Sequence, residues 1–418
     1  MYTTNMSSSE GSFRSFKHRN YRLFFTANMV SNIGTWAQRV AQDWLVVSDL
    51  HRGGSALGVV TGLQFLPMLL FSLYAGSLAD RLDKRKLLLI TNAGGGTTAA
   101  ILGVLIISHR VTILEVFILA FSLGLFGALD APVRQSFTSE LVGKSDIANA
   151  VSLNSANFNL GRLVGPAISG ILIKYFHTGP SFLLNAGSFV FVIVALLLMR
   201  PEELHRLPQD EKDRKIVEGI RYIKSRTDIV AIIATVFFAS TFGLNFQIFN
   251  ALISTKIFHK DAGAFGLLGS VLAIGSLSAA ILSTRLDQRH SPRFIMGCSS
   301  IFGICLIVQA SMPNYLTFAL TLPVCGFFAL TTMISANTYV QTTTPHELRG
   351  RVMGFYLLIF LGATPFGSPL IGWLADVVGV RQTVAICGGI TSLGALFVFL
   401  ALRSRLTRKI EPDQKSVK

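Results

Sequence analysis

About twelve apolar runs, each long enough to cross a bilayer, follow one another along the chain, and nothing else in the sequence constrains its fold as strongly. A spanning helix needs roughly 20 mainly apolar residues, because the hydrocarbon core is about 30 Å thick and each residue rises about 1.5 Å. The runs lie near 22–47, 55–79, 87–108, 112–134, 148–175 and 180–199, then near 229–255, 262–284, 293–311, 314–340, 350–375 and 381–402. Backbone polar groups in lipid must find partners inside the chain, so runs of this length are helices. Of the 418 residues 51% are hydrophobic and 14% charged, with mean hydropathy +0.54, too apolar for a water-soluble chain of this size. The predicted fold class is an all-α polytopic membrane protein.

The net charge of +15 would suit an acidic partner, but the position of the basic residues points elsewhere. Of 37 Lys and Arg, 29 fall in the two tails and alternate loops, 6 in the opposite loops and 2 within spans. That is the positive-inside pattern, which predicts a multi-pass protein of the cell inner (plasma) membrane with both termini cytoplasmic and no nucleic-acid partner. The N-terminus, MYTTNMSSSEGSFRSFKHRN, is polar and lacks the apolar core of a cleaved signal, so none is expected. Cys298, Cys305, Cys325 and Cys387 lie in apolar runs without paired metal spacing and read as small buried hydrophobes. No metal and no cofactor are expected.

Residues 200–228 form the one long polar interior segment and divide the spans six and six. The predicted organisation is a tail (1–21), a six-helix bundle (22–199), a central loop (200–228), a second bundle (229–402) and a tail (403–418), with the two bundles pseudo-symmetric. Ile216, Val217, Ile220 and Ile223 give Arg214 to Arg226 the pattern of a short amphipathic helix on the cytoplasmic face. A faint repeat links the halves: RLDKR at Arg81–Arg85 is answered 204 residues later by RLDQR at Arg285–Arg289. A similar offset relates Gly165 and Gly170 to Gly367 and Gly372. Related halves with a binding site at their interface are a known transporter plan.

Polar residues inside the spans are the candidate functional groups. The first span places Asn28, Asn32, Thr35, Arg39 and Asp43 at steps of four, three, four and four, so one helix face is polar. An Arg within the membrane costs at least about 2.5–3.5 kcal/mol unless a cavity or a partner solvates it, and Asp43 is one turn away. The seventh span repeats the device with Ser240, Gly243, Gln247, Asn250 and Ser254. Such stripes either line a path or glue helices together. The fifth span carries Asn154, Asn157, Phe158 and Arg162, then GRLVGPAISG, in which Gly161, Gly165, Pro166 and Gly170 suit close helix packing and a bend. Between spans two and three runs GSLADRLDKRK, Gly76 to Lys86, where a small residue, an acid ending a span and a basic cluster coincide.

That loop resembles the signature of the major facilitator superfamily at Gly76, Asp80, Arg81, Arg85 and Lys86, with Asp83 where a glycine is usual. GRLVGPAISG resembles the fifth-span antiporter signature of exporters, with Ser169 replacing one glycine. SNIGTWAQRVAQDWLV (Ser31–Val46), APVRQSF (Ala131–Phe137) and HELRGRVMG (His346–Gly354) narrow the likeness to the enterobactin-exporter-like and macrolide-efflux-like subfamily, over nearly the whole chain. The resemblance implies a proton-driven exporter alternating between inward-open and outward-open states, with spans one, four, seven and ten around the cavity. It implies a cytoplasmic gate of Gly76, Asp80, Arg81, Arg85 and Arg134, with Asp80 and Arg134 clamping the halves and Asp130 competing for the same Arg. Asn28, Asn32, Arg39, Asn154, Phe158, Gln247 and Asn250 are the expected cavity residues. Asp43, Glu115 and Asp130 are either proton carriers or structural ion pairs.

No phosphate-cradling loop, His and Cys cluster or nucleophile motif points to an enzyme, and the GGG at Gly94–Gly96 lies in an apolar span without a following Lys. An uptake carrier and a non-transporting receptor or scaffold are the alternatives. The expected partners are a small-molecule substrate, protons and the bilayer, with the chain a monomer. Hydrogen-bonding stripes beside Trp36, Phe158, Phe237 and Phe238, at nearly balanced charge, suit a sizeable amphipathic organic molecule: a siderophore, a macrolide-like drug or a lipid-like metabolite.

Overall fold

The computed structural model describes residues 13–205, 216–283 and 291–408. The helices are α1 (Arg19–Trp44), α2 (Gly54–Arg81), α3 (Lys84–Ile107), α4 (Ile113–Phe176), α5 (Gly179–Leu197), α6 (Ile216–Ser225) and α7 (Thr227–Phe238). They continue with α8 (Phe246–Leu252), α9 (Ala262–Ser283), α10 (Pro292–Ala310), α11 (Tyr315–Thr343), α12 (His346–Gly362), α13 (Thr364–Val377) and α14 (Val380–Arg408). Ten helical stretches among the described residues are long and apolar enough to cross a membrane. Two further crossings complete the twelve. α4 holds two, separated at Gly143, whose φ of +68° lies in the left-handed region where a side chain would be strained. α1 falls outside the apolar set because its polar stripe dilutes it, yet its 26 residues reach about 39 Å at about 1.5 Å each. Among the described residues the fold is all-α and polytopic.

The chain forms two compact units: Met1–Arg52 with Leu63–Glu211 and Lys260–Ser270, and Gly53–Gly62 with Lys212–His259 and Val271–Lys418. In the first, Tyr21, Phe24, Val133, Phe137 and Leu141 form a fully buried core, with Phe24 and Phe137 packed edge to face. The glycine run of α4 lets α1 approach at backbone distance: a Cβ at Gly165 would stand 2.6 Å from Trp36 Cβ, and one at Gly161 would stand 2.9 Å from Asn32 Cβ. A Cβ at Gly170 would meet the Ala262 carbonyl at 2.9 Å, and Gly266 lies against the carbonyl of Pro166. Residues 14–18, read from the sequence as tail, are held by the buried Asp146, which takes Arg14 at 2.5 Å, Lys17 at 2.8 Å and His18 at 2.9 Å.

The core of the second unit is built from Ile229, Ile232, Val236, Ile295, Val340, Val352 and Tyr356. The predicted amphipathic helix is α6. Ile223 of its apolar side lies inside this cluster, and Glu218 pairs with Arg351 of α12 at 2.5 Å. The carboxylate of Asp376 accepts hydrogen bonds from the backbone N–H of Gly54 and Ser55 at 2.7 and 2.8 Å, the start of α2, and pairs with Lys256 at 3.2 Å.

The seventh span departs from the uninterrupted helix its spacing assumed. α7 runs into a π turn at Ala239–Gly243, the chain breaks at Leu244–Asn245, and α8 runs into a second π turn at Ile253–Ile257. Each π turn takes up an extra residue and shifts the phase of the stripe. Gly243 therefore packs against the Phe302 ring and Thr391, while Ser240 donates to the carbonyl of Phe237. Asn245, absent from the stripe, fills the break: its amide donates to the Thr241 carbonyl at 2.8 Å, and its oxygen accepts from Ser368 at 3.1 Å. The RLDQR segment lies outside the described residues.

Candidate functional site

α1 to α5 enclose a cavity of about 360 Å³ within the first unit. From α1 it takes Asn32, Thr35 and Arg39, from α2 Gln64 and Phe65, from α3 Thr91, from α4 Phe126, Asp130, Arg134 and Phe158, and from α5 Asn185 and Phe189. The 3.6-residue period puts the α1 residues on one face, and the small residues of α4 bring that face against its neighbour.

One end of the cavity is a closed polar network. Arg134 donates to Asp130 through Nε at 2.5 Å and Nη2 at 3.0 Å, and to the oxygens of Asn92 and Asn28. Asp130 also accepts from Thr91 at 2.9 Å and from Asn92 at 3.0 Å. The guanidinium lies 5.6 Å over the ring of Phe24. Two helical crossings and α3 are tied together here by charge-assisted bonds worth about 1.5–3 kcal/mol each.

Further along α1 the arrangement opens. The Arg39 guanidinium lies 4.9 Å over the Trp36 ring and 5.9 Å from Phe65. Arg162 of α4 lies 5.9 Å over the same Trp36 ring, which also meets Phe158 edge to face at 5.6 Å. Arg39 Nε is buried and has no hydrogen-bond partner among the described residues. Asp43, one turn on and 5% exposed, attracts the Arg39 charge without a hydrogen bond between the two among the described residues.

The predicted site residues separate into groups. Asn32, Arg39, Phe158, Asp130 and Arg134 line the cavity. Asn28 is instead taken up as an acceptor for Arg134, and Asn154 bonds the Tyr21 hydroxyl at 3.2 Å and donates to Thr138 at 3.2 Å, so its amide ties crossings together. Asn250 is buried in the second unit with an oxygen that has no hydrogen-bond partner among the described residues, and Gln247 sits one turn before it on α8; neither lines this cavity. Glu115 belongs to a capping box at the start of α4, where its carboxylate accepts from the Thr112 backbone N–H at 2.9 Å. In the basic loop the side chains of Gly76, Asp80 and Arg81 lie outside the described ones. Arg85 caps the end of α5 through the Leu196 and Leu197 carbonyls at 2.6 and 3.1 Å, and Lys84 pairs with Glu140 at 2.7 Å. Asp83, the departure from the family's usual glycine, caps α3 by accepting from the Lys86 N–H at 3.1 Å. Thr91, Asn92, Gln38 and Asn185 escaped the sequence reading, although a polar side chain within an apolar run was the signal; the Asn185 amide donates to Gln38 at 2.6 Å.

Residues 10–418 match the major facilitator family described as transmembrane secretion effector. The chain belongs to this family. Relatives of this major facilitator protein include the staphyloferrin A transporter of Staphylococcus aureus, 27% identical over 95% of the chain and 99% of the relative. The multidrug efflux pump Tap of Mycolicibacterium fortuitum is 29% identical over 90% and 95%, and the enterobactin exporter EntS of Citrobacter koseri 21% identical over 94% and 95%. In fold it is similar to a bacterial homologue of the human lysosomal transporter Spinster in an inward-facing, unoccupied conformation (TM-score 0.76, 14% identity, 94% of this chain and 99% of that one). It is also similar to the nucleoside transporter NupG (TM-score 0.72, 14% identity, 92% and 100%).

Proposed function

We propose that this protein is a secondary active transporter, a proton-driven exporter that moves a small amphipathic organic molecule across the inner membrane by alternating access. The observation that carries the reading is a membrane-embedded cavity lined at once by aromatic faces, amides and the guanidinium of Arg39, whose buried Nε has no hydrogen-bond partner among the described residues. A buried polar cavity of this kind is costly to keep in a lipid-facing fold and marks a solute path. The export direction is supported by the names of Tap and EntS, and the siderophore-like or drug-like substrate class by those of the staphyloferrin A transporter and Tap. The 29 to 6 asymmetry of basic residues supports cytoplasmic termini and a cytoplasmic 200–228 loop between two six-helix bundles.

Among the acidic candidates Asp43 is the preferred proton carrier. Its carboxylate is buried near Arg39 and makes no hydrogen bond among the described residues, whereas Asp130 accepts four. The gate of Gly76, Asp80, Arg81, Arg85 and Arg134 belongs to the same reading, as does a monomeric carrier with no enzymatic activity. The test is respiration-driven accumulation of siderophores and macrolides in everted vesicles, with and without a protonophore. Arg39→Ala is expected to abolish protonophore-sensitive accumulation at normal protein level, Arg39→Lys to restore little of it, and Arg39→Ala with Asp43→Ala to stay inactive. Full transport by the double variant would make the pair structural and remove Arg39 from the path.

A further inference from the structure

We propose that the cavity selects anions, taking an amphipathic molecule through a carboxylate or comparable oxyanion held between Arg39 and Arg162. The inference rests on the transport reading above and adds the charge of the substrate.

The charges around the cavity do not balance. Its charged lining residues are Arg39, Asp130 and Arg134; Arg162 reaches the same Trp36 ring as Arg39, and Asp43, one turn along α1, interacts electrostatically with Arg39. Asp130 is already committed to Arg134 by a two-pronged pair, which leaves two guanidinium groups and one carboxylate for the other end. Both guanidinium groups lie over one ring, Trp36, at 4.9 and 5.9 Å. Two like charges near one indole ring in a water-poor interior repel each other, the single carboxylate of Asp43 offsets only one of them, and a further anion relieves the remainder.

The donors fit such an anion. A guanidinium offers a planar fork matched to a carboxylate, and Arg39 Nε is a buried donor without a partner among the described residues. The apolar part of the ligand has its own place. Phe158 is half exposed, lines the cavity and packs edge to face on Trp36, with Phe65 and Phe126 also in the wall. At about 360 Å³ the space falls within the range of roughly 300–1,000 Å³ usual for small-molecule sites. The same charge rejects cations, so selectivity comes from repulsion as well as attraction.

The experiment is equilibrium dialysis of the purified full-length protein in lipid nanodiscs, with empty nanodiscs as blank, using three probes of one shape: 1-naphthylacetate, 1-naphthylacetamide and 1-naphthylethylammonium. The carboxylate is expected to bind at least tenfold more tightly than the amide, and the ammonium more weakly than either. Arg162→Gln is expected to reduce the acid-to-amide ratio at least fivefold, and Arg162→Lys to retain most of it. The ratio in the wild-type protein decides the matter even where a variant fails to fold. Equal binding of acid and amide, or preference for the ammonium, overturns anion selection while leaving a ligand-binding cavity and the transport reading in place. No binding of any probe overturns both.

Discussion

Asp130 and Arg134, one helical turn apart on α4, show how a charged pair in a membrane span is satisfied by its neighbours. Both are paired to each other, and the remaining capacity of each is met by Thr91, Asn92 and Asn28. Asp130→Asn keeps the size of the side chain but removes the charge that Arg134 faces, and is expected to cost about 2 kcal/mol, read as a lower melting temperature of the detergent-purified protein. A melting temperature equal to wild type would show that the network carries no stability. The polar face of α1 was legible in the sequence because a 3.6-residue period is visible without knowing the neighbours. The fate of each amide was not. Asn32 reaches the cavity while Asn28 and Asn154 are spent on Arg134, Tyr21 and Thr138, and only the packing of the other crossings decides which.

At the scale of elements, span positions follow directly from apolar length, whereas interruptions within spans do not. A π turn needs no particular residue, so the phase shifts at Ala239–Gly243 and Ile253–Ile257 left no mark that periodicity could read. The α4 turn at Gly143 had a glycine, but nothing in the apolar pattern fixed its left-handed φ of +68°. α6 was legible as amphipathic, yet an apolar stripe does not say whether lipid or protein covers it. In the structure Ile223 is buried in the second core and Glu218 reaches Arg351. Ile223→Ala is therefore expected to loosen α6, at a cost of about 2 kcal/mol or more, and to speed tryptic cleavage at Arg221 and Lys224 several-fold. Unchanged cleavage would mean that the helix is held by something other than this packing.

For the whole molecule, the chain's membership in a major facilitator family and its twelve crossings agree with what apolar length and loop motifs announced. Orientation remains a proposal from charge, and it is directly testable at Ser225, which is exposed at the end of α6. In a variant with Cys298, Cys305, Cys325 and Cys387 replaced, Ser225→Cys should resist a membrane-impermeant maleimide in intact cells and react in everted vesicles; the reverse order would invert the topology. The substrate was not legible, because selectivity depends on which side chains share a ring or a carboxylate, as Arg39 and Arg162 share Trp36. The most direct measurement of the central claim is solute flux into sealed proteoliposomes holding only the purified protein, under an imposed pH gradient. Siderophore or macrolide uptake that follows the gradient, collapses with a protonophore and disappears in Arg39→Ala is the predicted result. Flux indistinguishable from protein-free liposomes for every solute, or flux that Arg39→Ala leaves intact, would contradict it.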